Sequence, residues 1–260
     1  MTQLHTPLLV GVMIVSWLSE GVKAAAHAPA PRNVLWLPLG DSITWGCTGP
    51  TIKDCHSDSA GYRIPLALAL SQHPLGSPAN VGFNLSTMGT LTTGPPYVPK
   101  QWLAHEGHPG WQINMVDGIL NKSLATSVQP PDLVTIHLGT NDCNGGVSPA
   151  DMVSRMNSLL LHLAAKAPTA QVFLGDVIAT GNAWNSCILE YNKLVPGIVT
   201  TWAGHGMSIY YVPVYASMQP GCGAIGNETD LCGGHQIHPT SAGYPKMASA
   251  YALTILQHFK

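Results

Sequence analysis

Residues 33–46 read NVLWLPLGDSITWG, an apolar run that stops at Gly40 and hands Asp41 and Ser42 to a polar turn before Trp45. A short continuous apolar run closed by glycine is how a strand buried on both faces reads, and such strands belong to parallel sheets covered by helices. Serine, aspartate and glycine are also ordinary turn and cap residues, so Ser42 is either a turn serine or a nucleophile. A neutral hydroxyl attacks poorly without a base and an oxyanion site, and the rest of the chain must supply both.

The same buried-strand pattern recurs in DLVTIHLG at 132–139, AQVFLGDVI at 170–178 and MSIYYVPV at 207–214, with an alternating version, NVGFNLSTMG, at 80–89. Helical stretches follow or separate them: GYRIPLALALSQ at 61–72 with Pro65 in its first turn, then 110–125, 148–167, 186–203 with a kink expected at Pro196, and 241–259. The stretch at 148–167 is bounded most clearly, by Ser148, Pro149 and Asp151 at its start and Pro168 past its end. Strand then helix, repeated, predicts an α/β chain: a single-domain, doubly wound, flavodoxin-like five-stranded parallel sheet with helices on both faces. Ligands of such sheets bind beyond the carboxyl ends of the strands, so reactive residues belong there.

A chain of 260 residues with 45% hydrophobic content and no shift in composition can bury one sizeable core. Charged residues make up only 9% and the net charge is -2, with no basic run, which argues against nucleic acid or an anionic membrane surface as partner and for a neutral ligand. The apolar stretch LLVGVMIVSWL at 8–18, followed by VKAAAHA, reads as a signal peptide over 1–26, leaving a secreted, extracellular domain over 27–260, expected to be a monomer. Its 11 residues fall short of a spanning helix, which needs roughly 20. Six cysteines suit an oxidising compartment. The short separations make Cys47 with Cys55 and Cys222 with Cys232 the simplest pairs, leaving Cys143 with Cys187. Sequons at Asn84, Asn121 and Asn227 are compatible with a glycoprotein.

Three stretches besides GDS sit where chemistry is expected. GTND at 139–142 puts the Asn141 amide past a buried strand, as a donor into the crevice or as a helix cap. HEGHPGWQI at 105–113 has Gly110 opening a helix, where its N–H could serve an anion. HQIHPTSAGY at 235–244 sets His238 before Pro239, ahead of the last helix. HEGH is not the zinc motif, because its histidines are three apart, and Gly107 and Pro109 make it read as a loop. His137, inside a strand, reads as a packed core histidine with a hydrogen bond, and Asp41 and Asp142 read as loop braces.

GDSIT, Gly110, GTND and IHP, in that order, resemble the SGNH or GDSL hydrolases over the whole chain after the leader. Within them GDSITWG, GYR, HEGHPGW, PDLVTIHLGTND and the HP-x-x-x-GY-x-K-MA ending resemble the acetylxylan-esterase-like members of carbohydrate esterase family three. The resemblance implies a serine esterase that removes acetyl groups from a polysaccharide such as acetylated xylan, or acts on another neutral ester, with no cofactor and no metal. Ser42 would attack, His238 would act as base, and the Ser42 N–H, the Gly110 N–H and the Asn141 amide would hold the oxyanion. Trp45 and Trp111 flank these segments, as sugar-stacking faces or as packing.

One position departs from the family pattern. It usually has aspartate three residues before the histidine, and position 235 here is histidine. Three readings follow: a Ser-His dyad with His235 or a backbone carbonyl as acceptor; a displaced carboxylate, Asp230 ahead of Glu228; or a weakened protein that binds glycans. A lipase or short-chain esterase is the alternative enzyme.

Overall fold

The computed structural model describes residues 31–48, 52–72, 83–218 and 237–259. Seven strands form one sheet: β1 Asn33–Asp41, β2 Asn84–Thr87, β3 Leu91–Thr92, β4 Ala104–His108, β5 Leu133–His137, β6 Gln171–Gly175 and β7 Ile209–Val212. Eight α-helices connect them: α1 Ser42–Trp45, α2 Arg63–Gln72, α3 Ile113–Leu124, α4 Thr140–Asn144, α5 Pro149–Lys166, α6 Asn185–Gly204, α7 Val214–Ser217 and α8 Gly243–His258.

The sheet order is β3-β4-β1-β5-β6-β7, with β2 on β1. The five expected strands are all present and parallel. Two more join them, and these correct the expected count. β4 pairs in parallel with the end of β1 and β3 runs antiparallel to β4. β4 is the HEGH stretch read as a loop. Its polar sequence hides a strand because β1 supplies the ladder and Gly107 lets the chain pass where a Cβ would stand 2.5 Å from the Trp45 nitrogen.

The sheet has helices on both faces. On one, Tyr62, Leu66 and Leu70 of and beside α2 pack with Met247, Tyr251 and Ile255 of α8. On the other, Ile113 and Val116 of α3, Met156 and Leu160 of α5, and Tyr191 and Val195 of α6 cover Leu37, Leu39, Val134 and Ile136. Along β1 these faces alternate, Trp36 toward α8 and Leu37 and Leu39 toward α5, as a period of two requires. The Ser148 hydroxyl caps α5 by accepting the Asp151 N–H at 3.1 Å, with Pro149 in the first turn. The helix at 185–204 runs through Pro196.

Disulfides join Cys47 to Cys55 and Cys143 to Cys187. Cys222 and Cys232, the leader at 1–26 and the sequon at Asn227 lie outside the described residues. The other two sequons sit in regular structure: Asn84 opens β2 and Asn121 lies in α3. Among the described residues no helix is long and apolar enough to cross a membrane.

Candidate active site

Register decides which loops meet. Asp41 of β1 pairs with His108 of β4, and Gly40 pairs with His137 of β5, so three neighbouring strands end at one level. The segments that leave them are GDSIT, HPGW and GTND.

Ser42 begins α1 and is 3% exposed. Asp41 caps it, Oδ1 accepting the Ile43 N–H at 2.9 Å. Asp41 is fully buried, and burial, with the Asp142 charge adding to it, pushes its carboxyl up to about 7 against the Ile43 bond. His238 reaches the turn from across the chain, its Nε2 lying 2.8 Å from Ser42 Oγ. It is 4% exposed, and Thr240, two residues on, accepts the N–H groups of Gly243 and Tyr244 where α8 begins. In the tautomer with Nε2 unprotonated, the serine hydroxyl donates to it, the arrangement that activates a hydroxyl.

The opposite wall is the turn from His108 to Trp111, closed by the Trp111 N–H on the His108 carbonyl at 3.1 Å. Gly110 holds φ +82 there, a left-handed conformation that favours glycine, and a Cβ would meet nothing within 4 Å. Backbone conformation, not space, demands the glycine. Gly110 therefore does not open a helix, as its sequence suggested; α3 starts at Ile113, because a left-handed residue cannot join a right-handed helix.

Asn141, the second residue of α4, donates through Nδ2 to the Trp111 carbonyl at 2.9 Å. An amide carries two N–H bonds, so one ties the α4 donor to the Gly110 turn and one remains. Asp142 braces the same junction: Oδ2 accepts the Ile113 N–H at 3.0 Å and Oδ1 accepts Arg155 Nη1 at 2.8 Å. Cys143 fastens α4 to α6 through Cys187.

Beside the turn lies a histidine-carboxylate pair. Glu106 is fully buried, and its Oε2 accepts from His108 Nε2 at 2.6 Å and from the Thr90 hydroxyl at 2.9 Å. Burial alone would raise its carboxyl; the bonds from His108 and Thr90 outweigh it and set the net shift downward. The His108 ring stacks on Trp111, centroids 3.9 Å apart and planes 14° apart. Sequence reasoning missed Glu106, though residues two apart in a strand share a face and Glu106 and His108 could have been paired on that period.

The other singled-out residues separate. Trp45 donates its indole N–H to the His56 carbonyl at 3.0 Å and meets His105 edge-on, so packing engages it. One face of Trp111 is taken by His108. His137 is buried as expected, but neither ring nitrogen finds a hydrogen-bond partner among the described residues, and burial lowers the ring to about 4. In the sheet register it pairs with Gly40 of β1. Asp230, Glu228 and His235 lie outside the described residues. No group of three or more metal-ligating side chains occurs among the described residues.

The GDSL-like lipase/acylhydrolase family model matches residues 39–246. Among solved structures, a Clostridium thermocellum family 3 carbohydrate esterase is 25% identical with a TM-score of 0.67, covering 87% of this chain and 96% of its own. A carbohydrate esterase family 3 protein from Talaromyces cellulolyticus is 22% identical with a TM-score of 0.65, covering 86% and 97%. Axe2, an acetylxylan esterase from Geobacillus stearothermophilus, is 16% identical with a TM-score of 0.59, covering 86% and 95%. Curated proteins yield no match.

Proposed function

Because the chain belongs to the GDSL-like lipase/acylhydrolase family and is a carboxylic ester hydrolase, we propose that Ser42 is its nucleophile and His238 its base. The observation that carries this reading is the 2.8 Å contact between Ser42 Oγ and His238 Nε2 at the carboxyl end of the sheet.

The Ser42 proton passes to His238 as Oγ attacks the ester carbonyl, and the resulting oxyanion takes hydrogen bonds from the Ser42 N–H, the Gly110 N–H and the Asn141 amide. Collapse expels the alcohol, which leaves with the proton from His238. Water, activated by His238 in turn, frees the acid from the acyl-serine. The charge balances within these residues.

The substrate proposed is an acetylated polysaccharide such as acetylated xylan, with acetate as the acyl group. Three features support it: the carbohydrate esterases among the structural neighbours, the low charge of the chain, and the Trp111 and His108 rings beside the oxyanion turn. The two disulfides fit secretion; the secreted form proposed is residues 27–260, one monomeric hydrolase domain after loss of 1–26.

The test is acetate release from acetylated xylan and from an aryl acetate. Wild type releases acetate from both, and Ser42→Ala at equal folded concentration releases none above the water rate. A variant rate equal to wild type removes Ser42 from the mechanism; a wild-type rate that rises with acyl length makes the enzyme a lipase. Xylan binding with no acetate release from either substrate makes the protein a glycan binder.

In the same assay Asp230→Asn reports on the partner of His238. A drop on the order of 10,000-fold assigns Asp230 as the orienting carboxylate, and an unchanged rate in both Asp230→Asn and Glu228→Gln assigns the Ser42–His238 dyad, with His235 or a carbonyl as acceptor.

A further inference from the structure

Arg63 breaks two rules of placement. It is the first residue of α2, where the positive end of a helix disfavours a cation, and it is 1% exposed, where a charge wants a counter-ion. Among the described residues no carboxylate pairs with it. Burial lowers its guanidinium to about 9, which leaves it charged at neutral pH.

Its partners are carbonyls. Nε donates to Thr44 at 2.8 Å, Nη2 to Thr93 at 3.0 Å, to Trp45 at 3.3 Å and to Ser59 at 3.4 Å, and Nη1 to Leu103 at 3.4 Å. The Thr93 hydroxyl adds a sixth contact at 3.2 Å. Thr44 and Trp45 are the last two residues of α1, the turn that Ser42 begins. A four-residue helix has little stability of its own, and its final carbonyls need outside donors.

Backbone contact brings the guanidinium there. A Cβ on Gly61, which holds φ +53, would stand 2.7 Å from the Ile43 carbonyl, so the segment leading into α2 lies directly against α1. From the other side β4 presses Gly107 on Thr44 and Trp45.

We propose that Arg63 is a positioning residue for the nucleophile: its planar fork gathers the terminal carbonyls of α1 and thereby fixes Ser42 Oγ against His238. This rests on Ser42 being the nucleophile. A lysine at 63 keeps the charge but presents one ammonium to acceptors that the fork now spans with three nitrogens. The observation separates shape from charge.

The experiment compares wild type, Ser42→Ala, Arg63→Lys and Thr93→Val in their rate of labelling by a fluorophosphonate and in kcat and KM on an aryl acetate, each per folded molecule from near-ultraviolet circular dichroism. Arg63→Lys is expected to label and turn over on the order of 100-fold more slowly with KM little changed, the cost of misplacing a reacting atom by an ångström. Thr93→Val, which removes the hydroxyl that Arg63 and the His105 ring share and no charge, is expected to slow labelling several-fold and keeps the test alive where Arg63→Lys does not fold. Folded Arg63→Lys labelling at the wild-type rate overturns the proposal, as does Thr93→Val at the wild-type rate where only that variant folds. Wild type that fails to label at Ser42, or labels equally after Ser42→Ala, overturns the nucleophile assignment instead.

Discussion

The two walls beside Ser42 are held by opposite charge logic. The turn of the proposed nucleophile is gripped by a cation, Arg63, among neutral carbonyls, while the wall of the proposed oxyanion donors is gripped by carboxylates, Asp142 with Arg155 and Glu106 with His108. A carbonyl set leaves the cation partly desolvated without a counter-charge; a paired carboxylate returns much of its own burial cost through charge-assisted bonds. The side of the proposed nucleophile thus buries a cation to hold one short helix; on the opposite side the bonds outweigh burial at Glu106, whose carboxyl is lowered, and fall short of it at Asp142, whose carboxyl is raised.

The sharpest way to break the oxyanion wall is Asp142→Ala. It orphans the Ile113 N–H and strips Arg155 of its carboxylate, so α3 and α4 lose the joint that sets Asn141 beside the Gly110 turn. The expected loss is about 2 to 3 kcal/mol, discounted because Arg155 is partly exposed. Urea unfolding at pH 7 measures it, and a loss below the noise would mean that Asn141 is held by its Trp111 bond and the Cys143–Cys187 bridge alone.

Next in size is Glu106→Gln. The amide keeps an acceptor for Thr90 but not the charge that draws His108, so a cost of about 1 kcal/mol is expected at pH 7, the difference between charge-assisted and neutral bonds. The Glu106 carboxyl is lowered on folding, so its contribution is present above the unfolded pKa and fades as pH falls through the folded one. Wild type and Glu106→Gln should therefore converge in urea unfolding as pH falls through the folded Glu106 titration; a gap that persists below it would trace the effect to packing.

Much of this was legible in the sequence, and the reason is local. β1, β5 and β6 are apolar runs closed by glycine, so both strand and terminus show; GDS follows β1 and GTND follows β5, and His238-Pro239 lies between β7 and α8. Their roles are a further matter, resting on the proposed chemistry. β4 was illegible because its stability is tertiary: AHEGH has no apolar face, and Glu106 is satisfied by Thr90, sixteen residues away, and by His108. Arg63 was quoted within GYR but had no visible partner, since carbonyls leave no mark in a sequence. The three glycine contacts around α1 at Gly40, Gly61 and Gly107 were invisible for the same reason: glycine announces freedom, not what it lies against.

Asp41 carries the comparison to its smallest effect and reverses its sign. On the nucleophile side a buried carboxyl has no cation beside it, and burial raises it from 3.8 to about 7. A raised acid favours the fold where it is protonated: its stabilisation is complete below pH 3.8 and drains away as pH climbs toward 7, because in that window the folded chain holds a proton that the unfolded chain has released. Between pH 5.5 and 6.5 the loss should be about 1 kcal/mol, one proton across one pH unit. Asp41→Asn keeps a side-chain oxygen to cap Ile43 and removes this titration, while buried His137 and His105, lowered on folding, add stability with rising pH in both proteins; the unfolding free energy of wild type should therefore fall by about 1 kcal/mol relative to Asp41→Asn across that interval. Glu106→Gln, by contrast, should leave this slope untouched and flatten the acid limb. If the two profiles run parallel between pH 5.5 and 6.5, the Asp41 carboxyl is ionised throughout, and the turn of the proposed nucleophile would have to share the charge pairing seen at Glu106.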